Sequence, residues 1–425
     1  MTATLPDIAT GPSGVAAEPR ARTLFEGRAL VLAAIVMSAL TLRVAVTAFS
    51  PLAERIGAEI GYSTAIVGVF GMIPTAMFAL SGLLTPALVR RAGLERTALI
   101  AMLMAGAGML ARAMVGATAG LLTLSALALA GMGIGNVVIP PLVKRYFPDR
   151  VAVLSSLYIT MVQLGTVVPA LIAVPVAQAH GWRVSVGLWA LLGFAAALPW
   201  FGVLRGRGRL DVTETPVPAG GRISRSPVAW GMAAMFGMTS LITYAMFAWL
   251  PKILAEAGAS DAFGGTMVGL FALVGLVSAL SAPTMVARVR NPFPLVALFG
   301  VCFFVAFAGL LFAPMSAPVL WVVILGLGPS TFPMALTLIN LRTRSSAGSA
   351  ALSGFTQGVG YAVACAGPLL FGVLHTATGG WLAPFALLGA AEVVLLIGAW
   401  QACKPRVLED GWNARTDTPR RAYTA

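Results

Sequence analysis

Charge is scarce in this chain. Of its 425 residues only 10% are Asp, Glu, Lys or Arg, against about 25% in ordinary soluble domains. Hydrophobic residues make up 58%, and the mean hydropathy is +0.90. A soluble globular domain is excluded, and an all-helical polytopic membrane protein is expected. A closed barrel would show alternating segments of about 10 residues, whereas the apolar runs here are continuous. Acids are scarcer still: of fifteen, Glu392 alone falls inside an apolar run. The three cysteines, Cys302, Cys365 and Cys403, show no metal-ligand spacing and are expected to pack as small apolar residues. His180 and His375, the two histidines, fall at segment ends, where capping or gating suits them. There is no Walker loop, no H-x-x-x-H pair and no Ser–His–Asp set that the topology could assemble. No enzyme, metal or cofactor is expected.

What is present is a series of twelve apolar segments, at about 29–53, 62–87, 97–117, 119–143, 151–178, 184–204, 228–253, 264–287, 293–313, 318–341, 348–375 and 381–402. Each is long enough for a transmembrane helix, which needs about 20 residues. The net charge of +13 follows this alternation. With the N-terminus inside, twenty-three of the 28 basic residues fall in cytoplasmic stretches. Three fall outside, and Arg43 and Arg112 lie within segments. That asymmetry places both termini in the cytoplasm of a bacterial inner membrane. The basicity is therefore a topology signal, and no nucleic-acid partner is expected. The first 24 residues are polar and read as a disordered tail without a signal peptide.

The longest internal polar stretch, "RGRGRLDVTETPVPAGGRISRSP" at 205–227, separates six segments from six. The organisation expected is a tail (1–24), a six-helix bundle (25–204), a linker (205–227), a second bundle (228–403) and a cytoplasmic tail (404–425). The halves align weakly. "VGVFGMI" (67–73) matches "VGLFALV" (268–274), "GMG" (131–133) matches "GLG" (326–328), and Gln163 matches Gln357. The same register sets Arg43 against Tyr244. Two related bundles imply a binding site at the midplane between them.

Arg43, in "SALTLRVAVTA", is the sharpest candidate. A charge at that depth costs about 2.5–3.5 kcal/mol on insertion scales, so it needs a compensating group. Its planar fork of donors suits a planar anion, and we read it as the main substrate contact. The alternative is an arginine serving carbonyls freed by a broken helix. Tyr244 offers a hydroxyl and a ring, or core packing. Asn136, before Pro140-Pro141, is a substrate contact or the glue of a kink. Gln357 and Tyr361 in "GFTQGVGY" (354–361) are polar candidates on a glycine-smoothed face that equally suits packing against the other half. Gln163 and Tyr158 are further candidates. Arg112, near a helix end, is expected to snorkel to the interface without a substrate role. In "GLLTPALVRRAGLER" (82–96), Arg90, Arg91, Glu95 and Arg96 suit a gating latch. A cavity with a positive charge and no matching acid favours a small anion or polar neutral solute over an organic cation.

Seven stretches carry a resemblance: "LRVAVTAFSPL" (42–52), "GLER" (93–96), "GIGNVVIPPLVKRYFP" (133–148), "GWRVSVGLWALL" (181–192), "YAMFAWLPKIL" (244–254), "LTLINLRTR" (336–344) and "GYAVACAGPLLFGVLHTATGGW" (360–381). On these the chain resembles the cyanate permease and 2-nitroimidazole transporter (CynX/NimT) branch of the major facilitator superfamily. It departs from that pattern at Thr41 and Val44, where Asn and Pro are usual, and at Pro86, where the superfamily usually has an acid. The nitrate/nitrite porters are less similar. Their arginines lie in helices 2 and 8, and the corresponding segments here, 62–87 and 264–287, lack any Lys or Arg. The resemblance implies an all-α membrane protein of 12 transmembrane helices in two pseudo-symmetric six-helix bundles, a monomer moving a small solute across the bilayer by alternating access. A cyanate-like anion is one expected substrate, and export of nitroimidazole-like drugs the alternative. A transport-dead sensor is the remote reading, and the plain linker argues against it.

Overall fold

The computed structural model describes residues 28–62, 64–206 and 222–410. The expected N-terminal tail and most of the linker and C-terminal tail lie outside these residues. Twelve spans run in order: α1 (Ala29–Leu52), α2 (Thr64–Ala92), α3 (Leu94–Met114), α4 (Thr118–Tyr146), α5 (Val151–His180), α6 (Trp182–Arg205), α7 (Pro227–Glu256), α8 (Asp261–Arg288), α9 (Phe293–Phe312), α10 (Pro318–Leu341), α11 (Ser346–Thr378) and α12 (Leu382–Ala402). No strand occurs among the described residues. All twelve are long and apolar enough to cross a membrane. Leu171, Leu191, Leu198 and Phe312, each at least 70% exposed, face away from the bundle, as lipid-facing side chains do.

The spans group as six and six. α3 packs on α4 and α6, and α7 packs on α12 and α11. The halves meet through α2 against α11, α5 against α8, and α4 against α10 and α11. The α2–α11 contact is the tightest, and small residues make it possible. Gly354 and Gly358 of α11, one helical turn apart, face Pro86 and Gly82 of α2, also one turn apart. A Cβ on Gly82 would lie 2.3 Å from the Gly358 backbone, and one on Gly354 would lie 2.3 Å from Pro86 Cγ. The residue that stands where the superfamily usually has an acid is thus a packing contact.

These contacts lie toward the end of the bundle that carries both described termini, here called the proximal end. The chain after α12 also returns there. Leu408 is buried, its N–H donates to the Arg342 carbonyl, and Glu409 accepts from the backbone N–H groups of Arg344 and Ser345 at the start of α11.

At the distal end a short helix, Ala53–Ile60, follows α1. Its Glu59 pairs with Arg183 and accepts from Trp182 Nε1 at 2.7 Å, tying it to the α5–α6 turn. The hydrogen bonds from Arg183 and Trp182 hold the Glu59 carboxyl below its ordinary value of 4.5. A depressed carboxylate stabilises the fold above its unfolded value, and the contribution disappears as pH falls through the folded value. The melting temperatures of wild type and Glu59→Gln are therefore expected to differ slightly at pH 7 and to converge below about pH 4.5, read by thermal unfolding across that range.

Candidate functional site

Three of the spans are interrupted near their middles, and one interruption builds the site. α1 is helical over Ala29–Thr41, breaks at Leu42–Arg43, and resumes over Val44–Thr47 before a 3-10 turn at Ser50–Leu52. Thr41 Oγ1 donates back to the Met37 carbonyl at 2.9 Å, a bond that bends helices. Pro51 cannot donate to the Thr47 carbonyl, so regular helix cannot continue past it. The Phe49 N–H turns instead to the Val46 carbonyl at 3.2 Å, which leaves the Ala45 carbonyl without a main-chain donor.

Arg43 stands at the break, half-buried. Its Nη2 donates to the Tyr361 hydroxyl at 3.0 Å, and its Cζ lies 5.0 Å from the centre of the Phe78 ring. Tyr244, its counterpart by the internal repeat, is the other phenol beside it. Tyr361 is wedged between Phe78 and Phe236, with ring centres 5.3 and 5.0 Å away. The guanidinium thus rests against one ring face, with the Tyr361 hydroxyl as its acceptor and the Tyr244 phenol beside it. Among the described residues it has no carboxylate partner.

The carbonyl-serving role considered for Arg43 falls to Arg112. Its Nη1 donates to the free Ala45 carbonyl at 2.9 Å, its Cζ lies 5.5 Å from the Phe49 ring, and it is 1% exposed. The expected snorkelling does not occur. In a helix the side chain leans back toward the N-terminus, which carries Arg112 inward from the distal end of α3 to the break in α1.

A cavity of about 660 Å³ lies between the halves. Arg43, Asn136, Tyr158, Gln163 and Tyr244 line it, and so does Arg112. Among the described residues no Asp, Glu, Lys or His does. The amide nitrogen of Asn136 and the hydroxyl of Tyr158 are buried there without a hydrogen-bond partner. The remaining wall is largely apolar and aromatic, including Phe49, Phe70, Phe247, Phe271 and Phe332. The lining extends to Ser50 and Ala53, Phe70 of α2 and Phe247 of α7, so the cavity reaches toward the distal end.

Gln357 and Tyr361 do not line it; they lie beneath it on the proximal side, at 2% and 1% exposure. Gln357 Nε2 donates to the Asn136 carbonyl at 3.1 Å and to Ser353 Oγ at 2.9 Å. The first bond follows from the sequence. Pro140, four residues on, has no N–H for that carbonyl, and α4 nonetheless stays helical through Pro140 and Pro141. A side chain of one half thus satisfies a carbonyl that a proline of the other half has freed.

A second link crosses the halves nearer the proximal end. Lys144 Nζ of α4 donates to the Asn340 carbonyl at 2.6 Å, to the Thr343 carbonyl, and to Thr343 Oγ1 at 3.1 Å. These groups stand at the C-terminus of α10, where unpaired carbonyls and the helix dipole favour a cation. Sequence reading used Lys144 only as a topology charge. Its neighbour Arg145, with Tyr146, takes the other candidate, Glu95: Tyr146 Oη donates to Glu95 Oε1 at 2.7 Å and Arg145 lies 3.3 Å away. Glu95 therefore joins α3 to α4 within one half. Arg90, Arg91 and Arg96 are exposed and make no ion pair among the described residues.

The comparisons with known proteins agree with this architecture. The family model described as Major Facilitator Superfamily matches residues 29–365. The chain is 33% identical to the uncharacterized transporter YycB of Bacillus subtilis, over 86% of this chain and 91% of that one. It is 32% identical to the 2-nitroimidazole transporter of Escherichia coli (90% and 96%) and 28% identical to the cyanate transport protein CynX of the same organism (86% and 95%). Among solved structures, the proton:xylose symporter XylE superposes with a TM-score of 0.71 at 12% identity, covering 91% of this chain and 98% of that one. FucP in its outward conformation superposes at 0.65 and 13%, covering 87% and 98%. The chain belongs to the major facilitator superfamily, in the branch that includes the cyanate and 2-nitroimidazole transporters.

Proposed function

We propose that this protein is a secondary transporter for a small solute bearing an anionic or strongly accepting group, held by Arg43 and carried by alternating access. The observation that supports this most is a midplane guanidinium in a cavity with no carboxylate among its described lining residues. A cavity with no acid does not favour an organic cation, while a planar fork of donors favours carboxylate-like groups. Asn136 and Tyr158 supply neutral donors, and Tyr244 a hydroxyl beside Arg43. Gln357 and Tyr361 act by holding Asn136 and Arg43 in place.

One relative is named for 2-nitroimidazole. A nitro group presents the same two-oxygen edge as a carboxylate, and the aromatic wall suits a flat ring. A nitro-heterocycle is therefore the second substrate class this site fits. The distribution of basic residues supports cytoplasmic termini in a bacterial inner membrane, and on that orientation the present state is outward-facing. A monomer suffices, because both halves of the site lie in one chain. The test is uptake into proteoliposomes of cyanate, bicarbonate, formate, 2-nitroimidazole and an organic cation, with and without a pH gradient. Saturable uptake from the first four classes supports the reading, and uptake of the cation alone sinks it.

On this reading Lys144 is an inter-half lock that breaks when the cavity opens to the cytoplasm. Charged hydrogen bonds contribute about 1.5–3 kcal/mol each, so Lys144→Met is expected to raise the inward-open population about 10–100-fold. The measure is thiol labelling at Ala350→Cys in a background without native cysteines. Ala350 is buried here against residues of the N-terminal half. An unchanged labelling rate rules out the lock.

A further inference from the structure

We propose that Arg112 and Ser125 form a second anion subsite of the central cavity, on the distal side of Arg43, that takes a planar oxyanion. This rests on the anion reading of the cavity given above and adds a second group that recognises the solute.

Arg112 uses one of its three nitrogens. Nη1 holds the Ala45 carbonyl. Nε and Nη2 are buried and have no hydrogen-bond partner. Those two share one edge of the guanidinium, and their N–H bonds run nearly parallel. That edge is the one that grips both oxygens of a carboxylate at once. Ser125 of α4, also lining the cavity, is 2% exposed, and its Oγ has no partner either. Three polar groups from two helices are thus buried unpaired beside one cavity, where each is costly unless something accepts from it. Among the described residues no carboxylate pairs with Arg112. Its Cζ lies 5.5 Å from the centre of the Phe49 ring.

The position follows from the helices. Ser125 precedes Asn136 by eleven residues on α4, about 16 Å along the axis, in the direction of the distal mouth. Arg112 lies in the last turn of α3 at that same end. An anion entering from the distal side therefore meets the Arg112 edge before it reaches Arg43. The subsite would capture a carboxylate, bicarbonate or nitrate on entry, or hold the outer oxygens of a solute already on Arg43.

The test uses the whole protein in nanodiscs, with sodium formate as the probe and sodium chloride at equal ionic strength as the control. The midpoint of thermal unfolding is followed against formate concentration, which reports binding to the folded state. Four proteins are compared: wild type, Arg43→Gln, Arg112→Gln and Ser125→Ala. Arg112→Gln removes the charged fork. The proposal predicts a formate-dependent rise in wild type that survives in Arg43→Gln. It predicts that the half-saturating formate concentration increases about 10–100-fold in Arg112→Gln, the loss of a charge-assisted contact, and several-fold in Ser125→Ala. Ser125→Ala leaves the Ala45 bond in place, so it decides the matter if Arg112→Gln does not fold. An unchanged formate response in Ser125→Ala and in a folded Arg112→Gln overturns the subsite and leaves Arg112 a cap for α1. A response lost in Arg43→Gln but kept in Arg112→Gln also overturns it, while preserving the role proposed for Arg43. No response in wild type overturns the subsite, and transport of the uptake panel then shows separately whether the Arg43 reading stands.

Discussion

Arg43→Ala and Arg43→Lys are each expected to reduce substrate flux at least about 100-fold, the loss of one to two charge-assisted hydrogen bonds at about 1.5–3 kcal/mol each. The lysine variant is the informative one. It keeps the charge but replaces a rigid planar fork with a point donor. In the native arrangement one guanidinium nitrogen is already committed to Tyr361, and the Phe78 ring fixes the plane. Lysine can donate to both the phenol and the solute, but it does not present two parallel N–H bonds to one planar group. Flux is to be measured in proteoliposomes, with melting temperature as the check on folding. Normal transport by Arg43→Lys would show that charge alone suffices and that the fork is irrelevant. Tyr361→Phe is expected to fall between wild type and the Arg43 variants, because it frees the fork without removing it.

Gly82→Val and Gly358→Val should have the other large effect. A Cβ at Gly82 meets the Gly358 backbone at 2.3 Å, and no rotamer relieves a clash with main chain. The two halves must part at the proximal end. Overpacking in a tight contact costs about 1–3 kcal/mol, sometimes more, and here it falls on one of two states. The population of the state described here, closed at the proximal end, should drop about 10–100-fold, and transport with it. The signature is directional. Labelling of Ala350→Cys on the proximal side should rise, and labelling of Thr243→Cys in the distal cavity should fall. A misfolded protein would raise both, and an unaffected protein neither.

The fold was legible in the sequence because the bilayer sets a length and a charge rule that single segments obey. All twelve apolar runs become spans, with boundaries moved mainly where helices extend past the apolar core. α5, for instance, runs to His180. The break in α1 was legible only as a possibility raised by a charge in an apolar run. Its cause, Thr41 back-bonding and Pro51, is local and could have been read. Arg112 was misread because its place in the chain, near a helix end, resembles that of an interfacial arginine. Its true partner is a carbonyl of another helix, freed by that break, and contact between helices leaves no mark in either segment alone. The Gln357 contact did leave one. Pro140 frees the carbonyl four residues before it, and that carbonyl belongs to Asn136. Lys144 was hidden by its own usefulness as a topology charge. The glycine-smoothed face of α11 was recognisable as a packing surface, but its partner, Gly82 with Pro86, needed the structure.

The central proposal is that a cavity with no acid among its described lining residues carries a small solute by its planar acceptor group, gripped by Arg43. Counterflow in proteoliposomes tests it most directly. Vesicles are loaded in turn with cyanate, bicarbonate, formate or 2-nitroimidazole, and the same labelled compound is supplied outside in trace amount. The account predicts transient, saturable accumulation of the label for at least one of the four, competition from the others, and no accumulation in Arg43→Lys. Counterflow driven by an organic cation and by none of the four, or undiminished in Arg43→Lys, would contradict it.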